Sequence, residues 1–110
     1  MGVFEMKVDR EEIARINEYL KENRLRLTHF RYYKDDGTLN NRGGMTVVWK
    51  DNKAGRLFPV STAICNSKDI FSRDIGRVLA AQNYERGHII HLMTDRYDNC
   101  FQTLCRIFVG

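Results

Sequence analysis

The chain has 110 residues, with 18 lysines and arginines against 14 aspartates and glutamates and a net charge of +4. That is one domain's worth of chain, long enough to bury a core and too short for two domains. No apolar run approaches the ~20 residues of a membrane span, the N-terminus lacks the apolar core of a signal peptide, and three cysteines without C-x-x-C spacing argue against a disulfide scaffold or a zinc ribbon.

The reading is therefore of a single domain over residues 1–110 in a reducing cytoplasm, with no membrane partner. Residues 1–27 carry six acidic and six basic side chains, so the surplus belongs to residues 28–110, with twelve basic against eight acidic. A positive field there favours a polyanionic partner such as a nucleotide, a nucleic acid or an acidic protein surface.

Met1 to Lys7 reads as a frayed end or a short edge strand. Asp9 starts a helix: Asp9 and Glu12 have capping-box spacing, Val8 and Ile13 take the staple positions, and Ile13, Ile16 and Leu20 form an apolar stripe ending near Asn23 or Arg24. Arg26 to Lys34, with Phe30, Tyr32 and Tyr33, predicts a strand, and Asp35-Asp36-Gly37 a turn. Thr38 to Gly44 reads as a polar loop in which Gly43-Gly44 and Arg42 either cradle a phosphate or simply connect a hairpin; the connection is preferred.

Met45 to Lys50 alternates as a half-buried strand. A turn over Asp51 to Gly55 leads to a third strand, Leu57 to Cys65, in which Pro59 points to an edge or a bulge over the first half. Asn66-Ser67-Lys68 then reads as a break, with Asn66 capping a helix from Asp69 to Gln82. On that helix Phe71, Ile75, Val78, Leu79 and Gln82 share a core face. Asp69, Arg73, Gly76, Arg77 and Ala80 take the other, where Gly76 costs about 1 kcal/mol of helix stability and invites close approach. His88 to Met93 predicts another strand. Cys100 to Val109 fits either a strand or a short helix, with the strand preferred.

The fold class expected is α+β, with an N-terminal helix, an antiparallel sheet of four to five strands and one central helix packed on it. His88 and His91 would point to opposite faces of a strand, which leaves a metal site short of ligands. No nucleophile elbow surrounds Cys65, Cys100 or Ser67, and no carboxylate pair suggests acid–base work. These readings favour a binding protein over an enzyme, with neither metal nor cofactor. Arg73 and Arg77, one turn apart, supply forks for phosphate. An alternative for the same residues is an ordinary solvated face, with Asp69–Arg73 and Asp74–Arg77 as surface pairs.

The stretch from Ala63 to Ala80 carries a Cys65-x3-Asp69-x-Phe71-x-Arg73-x-x-Gly76-Arg77 pattern. It resembles small bacteriophage counter-defence proteins, among them Thoeris anti-defence sponges, which sequester nucleotide-derived immune signals without cleaving them. The resemblance implies an oligomeric phage protein acting in the host cytoplasm. The candidate ligand-binding residues are Lys68, Asp69, Phe71, Arg73, Arg77 and Arg42, with Tyr84 or Tyr97 stacking on a base. Gly76 and Ala80 are the candidate interface between subunits. The rival readings are a protein–protein inhibitor of a host nuclease or CRISPR effector, and a small nucleic-acid-binding protein.

Overall fold

A computed structural model describes residues 8–53 and 55–109; the expectation for Met1 to Lys7 lies outside them. The elements run α1 (Arg10–Glu22), β1 (Leu25–Phe30), β2 (Arg42–Lys50), β3 (Leu57–Ile70), α2 (Arg73–Glu85), β4 (Ile90–Met93) and α3 (Cys100–Phe108). The fold is mixed α+β, with a four-stranded antiparallel sheet in the order β1-β2-β3-β4.

Opposed residues in an antiparallel ladder share a face, so the register sorts the sheet into two sides. Val48, Ala63 and Cys65 lie on the side covered by α1 and α2, with Ile16, Leu20, Ile75, Val78 and Ala81 above them. Val47, Trp49, Phe58 and Val60 lie on the other side, beneath Cys100 and Leu104 of α3. One helix on one face was expected; three helices enclose the sheet from both. For that reason β2 is not half-buried: Thr46, Val47 and Val48 all have 0% exposure.

α1 follows its predicted cap, with Asp9 Oδ1 accepting the Glu12 amide at 2.8 Å. α3 overturns the preferred strand. Asn99 and Gln102 form a reciprocal capping box, and Cys100, Leu104 and Phe108 recur at the spacing of one helix face. Pro59 sits where β3 is paired on one side only, since the ladder to β2 begins at Val60 while β4 covers Leu57 to Val60. A residue without an N–H is tolerated there.

The larger correction concerns the end of β3. No helix begins at Asp69: the strand continues to Ile70, with Asn66 to Asp69 bulging out between the Gly44–Cys65 and Arg42–Ile70 pairs. Asn66 uses its capping chemistry in a turn instead, its Oδ1 accepting the Lys68 amide at 2.9 Å. The bulge is stitched from outside by Arg42 Nη1 to the Lys68 carbonyl at 2.6 Å. From inside, the Cys65 thiol sits 3.5 Å from the carbonyls of both Asn66 and Asp69. The helix cap is Ser72, whose Oγ accepts from the Ile75 amide at 3.2 Å.

Gly43 and Gly44 belong to β2 rather than to a loop, and they answer to packing. A Cβ on Gly44 would lie 2.9 Å from the Phe30 carbonyl oxygen and 2.9 Å from the Phe71 ring, at φ +138°. Gly44→Ala is therefore expected to lower the unfolding free energy by about 2 kcal/mol or more in urea titration, combining an unfavourable backbone with a clash against main chain.

Candidate functional site

The most concentrated chemistry lies where the end of β1 meets the start of α2. His29 belongs to the helix-covered side of β1 and hydrogen-bonds through Nδ1 with Thr46 Oγ1 at 2.8 Å. The Phe71 ring, just before the Ser72 cap, meets the imidazole edge-on at a centroid distance of 5.5 Å. Arg31 Cζ lies 4.4 Å from the centroid of the same ring, an arrangement in which the ring face attracts the cation. Gly44 is what lets that ring in.

Arg73 is the first residue of α2, and Arg77 follows one turn later. Arg77 Nη1 donates to Asn17 Oδ1 of α1 at 2.8 Å. Arg73 is exposed and makes no ion pair among the described residues. The helix's amino end carries partial positive charge, so cations there are set against its dipole. Burial first, then the charges of Arg77, Arg73 and Arg31, lower the His29 pKa to about 4, with Asp74 opposing them. Among the described residues, His29 Nε2 and Arg31 Nε are buried without a hydrogen-bond partner.

The structure thus brings Arg73, Arg77 and Phe71 together, and it adds His29 and Arg31. Arg31 is one of the arginines of the basic half that the sequence offers as forks for phosphate, whereas His29 was legible only indirectly, as a polar residue continuing the side on which Leu25 and Leu27 pack inward. Lys68, Asp69 and Arg42 form the neighbouring bulge. Lys68 offers its carbonyl to Arg42, and neither it nor Asp69 stands at a helix start, since α2 is capped by Ser72. Nor do Asp69–Arg73 or Asp74–Arg77 form surface pairs among the described residues.

Tyr84 and Tyr97 are not brought to this place. Tyr84 is eleven residues beyond Arg73 on α2, about 16 Å along the axis at ~1.5 Å per residue, and it packs against the α1–α2 core. Burial and then the nearby Tyr19 push its phenol pKa up. Tyr97 is 84% exposed in the loop before α3. Gly76 and Ala80 are buried within the chain, Ala80 at 0% exposure, so they offer no surface to a second subunit.

Arg31 also borders a cavity of about 130 Å³ on the α3 side, lined by Phe30, Tyr32, Met45 and Phe108. Among the described residues no group of three or more His, Cys, Asp or Glu side chains is placed to hold a metal ion, and no helix is long and apolar enough to cross a membrane. No family model, curated protein or solved structure matches the chain significantly.

The His29 shift carries a sign. Its folded pKa of about 4 lies below the ordinary 6.5, so the unfolded chain binds more protons between those values. The contribution is full above pH 6.5 and lost as pH falls towards 4. Thermal melts across that window should show a steady fall in Tm, and His29→Gln should flatten it. The other acid-labile groups are common to both proteins, so an unchanged slope would remove His29 as its source.

Proposed function

We propose that the chain is a non-catalytic binding protein that holds the phosphate of a nucleotide-derived ligand on Arg31, Arg73 and Arg77. What supports this best is the geometry at the start of α2, where Arg73 and Arg77 lie one turn apart at the helix's amino end and the Arg31 guanidinium sits 4.4 Å from the centroid of the Phe71 ring just before the cap. Like charges gathered at the positive end of a helix repel one another, and a bound oxyanion relieves both repulsions together. Arginine suits the task because its planar fork reaches two phosphate oxygens.

The resemblance over residues 63–80 supports a role in counter-defence: the protein would sequester an immune signal in the cytoplasm of a bacterial host, on behalf of a phage, without cleaving it. The motif's Arg73 and Arg77 belong to the cluster, and its Phe71 supports Arg31. Its Gly76 lies within the fold.

Denaturing the purified protein and identifying any released small molecule by mass spectrometry tests the reading directly. In calorimetry with the released compound, or with mononucleotides and cyclic dinucleotides as probes, Arg73→Ala combined with Arg77→Ala should weaken binding by about tenfold or more, equivalent to ~1.4 kcal/mol. Circular dichroism should be unchanged, because Arg73 is exposed and Arg77 donates to a single side chain of α1, that of Asn17. Unchanged affinity overturns the assignment. Capture of a stoichiometric host protein, with no small molecule released, would favour the inhibitor reading instead.

A further inference from the structure

Beside the arginines of α2, two side chains at the end of β1 are left with polar atoms that nothing satisfies. His29 and Arg31 both meet the Phe71 ring, the imidazole at a centroid distance of 5.5 Å and the guanidinium carbon 4.4 Å from its centroid. His29 Nε2 and Arg31 Nε are buried without a hydrogen-bond partner among the described residues. Leaving such atoms unpaired is costly, so each asks for an occupant.

The chemistry of that occupant follows from where the protons are. Thr46 is sealed at 0% exposure, and its Oγ1 has no hydrogen-bond partner among the described residues besides His29 Nδ1, at 2.8 Å. If Nδ1 carried the imidazole proton, the threonine hydroxyl proton and the Nε2 lone pair would both go unmet. With the hydroxyl donating to Nδ1, the imidazole proton sits on Nε2 and one unmet donor remains. Arg31 Nε–H is a donor in any case, because a guanidinium keeps its protons. Both orphans are therefore donors. A water molecule accepting from them would turn its own protons towards guanidinium groups, whereas an oxyanion has none to place.

We propose that His29 Nε2–H and Arg31 Nε–H form the floor of the phosphate site and select a terminal phosphate monoester over a phosphodiester. The inference rests on the phosphate reading above and narrows it. A monoester carries a charge of about −1.5 to −2 near pH 7 and three free oxygens; a diester carries less charge and one free oxygen fewer. The charges that bear on the imidazole are three guanidinium groups, those of Arg31, Arg73 and Arg77, against the carboxylate of Asp74, a surplus of two. Depth points the same way. Both donors lie below the surface, and a phosphate tethered through one ester oxygen can enter end-on, while a diester carries chain on both sides. Arg73 is exposed and Arg77 is held by one hydrogen bond to Asn17, so rotation of these long side chains opens the way to the floor.

Nitrogen NMR of the imidazole tests the protonation in the protein as it stands: near neutral pH His29 should carry its proton on Nε2, and a proton on Nδ1 overturns the proposal. Calorimetry tests the selection with adenosine monophosphate, a monoester, and cyclic adenosine monophosphate, a diester. The monoester should bind about tenfold or more tightly. His29→Asn keeps an acceptor for the Thr46 hydroxyl but withdraws the Nε2 donor, and should remove most of that preference. His29→Gln, whose amide nitrogen reaches the Nε2 position, should restore it. If His29→Asn fails to fold, the tautomer and the preference of the unaltered protein still decide. A diester bound as tightly as the monoester, or released as the resident compound on denaturation, overturns this inference and leaves the phosphate reading standing. So does a preference that His29→Asn leaves intact while Arg73→Ala with Arg77→Ala abolishes binding. Failure of both probes to bind, with no phosphate compound released, removes both.

Discussion

The fold depends on burying β2 from both sides. A strand with Thr46, Val47 and Val48 all sealed from solvent requires a layer on each face, and the chain supplies α1 and α2 on one, α3 on the other. Burial of both faces also brings main chain and side chains very close, and glycine is what allows it. At Gly44 the absent Cβ leaves space for the Phe71 ring. Phe71 is the residue just before the cap of α2, so one missing side chain in β2 helps to place the start of that helix.

From that placement the candidate site follows. The Phe71 ring gives His29 an edge contact and Arg31 a platform, while Arg73 and Arg77 come from the first two turns of the helix that it introduces. Each contact is ordinary by itself. Together they concentrate positive charge at a helix's amino end, an arrangement that costs stability in an empty protein and is relieved by an anion. Burial first, and then that positive charge, lower the His29 imidazole pKa, and its Nε2 is buried without a hydrogen-bond partner among the described residues.

Local patterns were legible wherever a segment's chemistry had one outlet. α1 has its cap, its stripe and its end where Asp9, Ile16, Leu20 and Asn23 place them. Asp36 closes its turn by accepting from Thr38, as the Asp35-Asp36-Gly37 signal implies. Where a side chain had two outlets, the choice was not local. Asn66 caps a helix or closes a turn with the same carbonyl oxygen; the turn won because Arg42, the Cys65 thiol and β2 hold the bulge from both sides. The tail likewise supports a strand or a helix until Val47, Trp49 and Phe58 present an apolar surface that α3 covers with one face.

By itself the sequence determined the α+β class, the first helix, the central hairpin and the pairing of Arg73 with Arg77, because each rests on spacing within a few residues. Tertiary structure decided that Gly76 and Ala80 turn inward, that Tyr84 and Tyr97 stand apart from the arginines, and that His29 and Arg31 join them. Those outcomes depend on contacts between segments some forty residues apart, which no local period encodes.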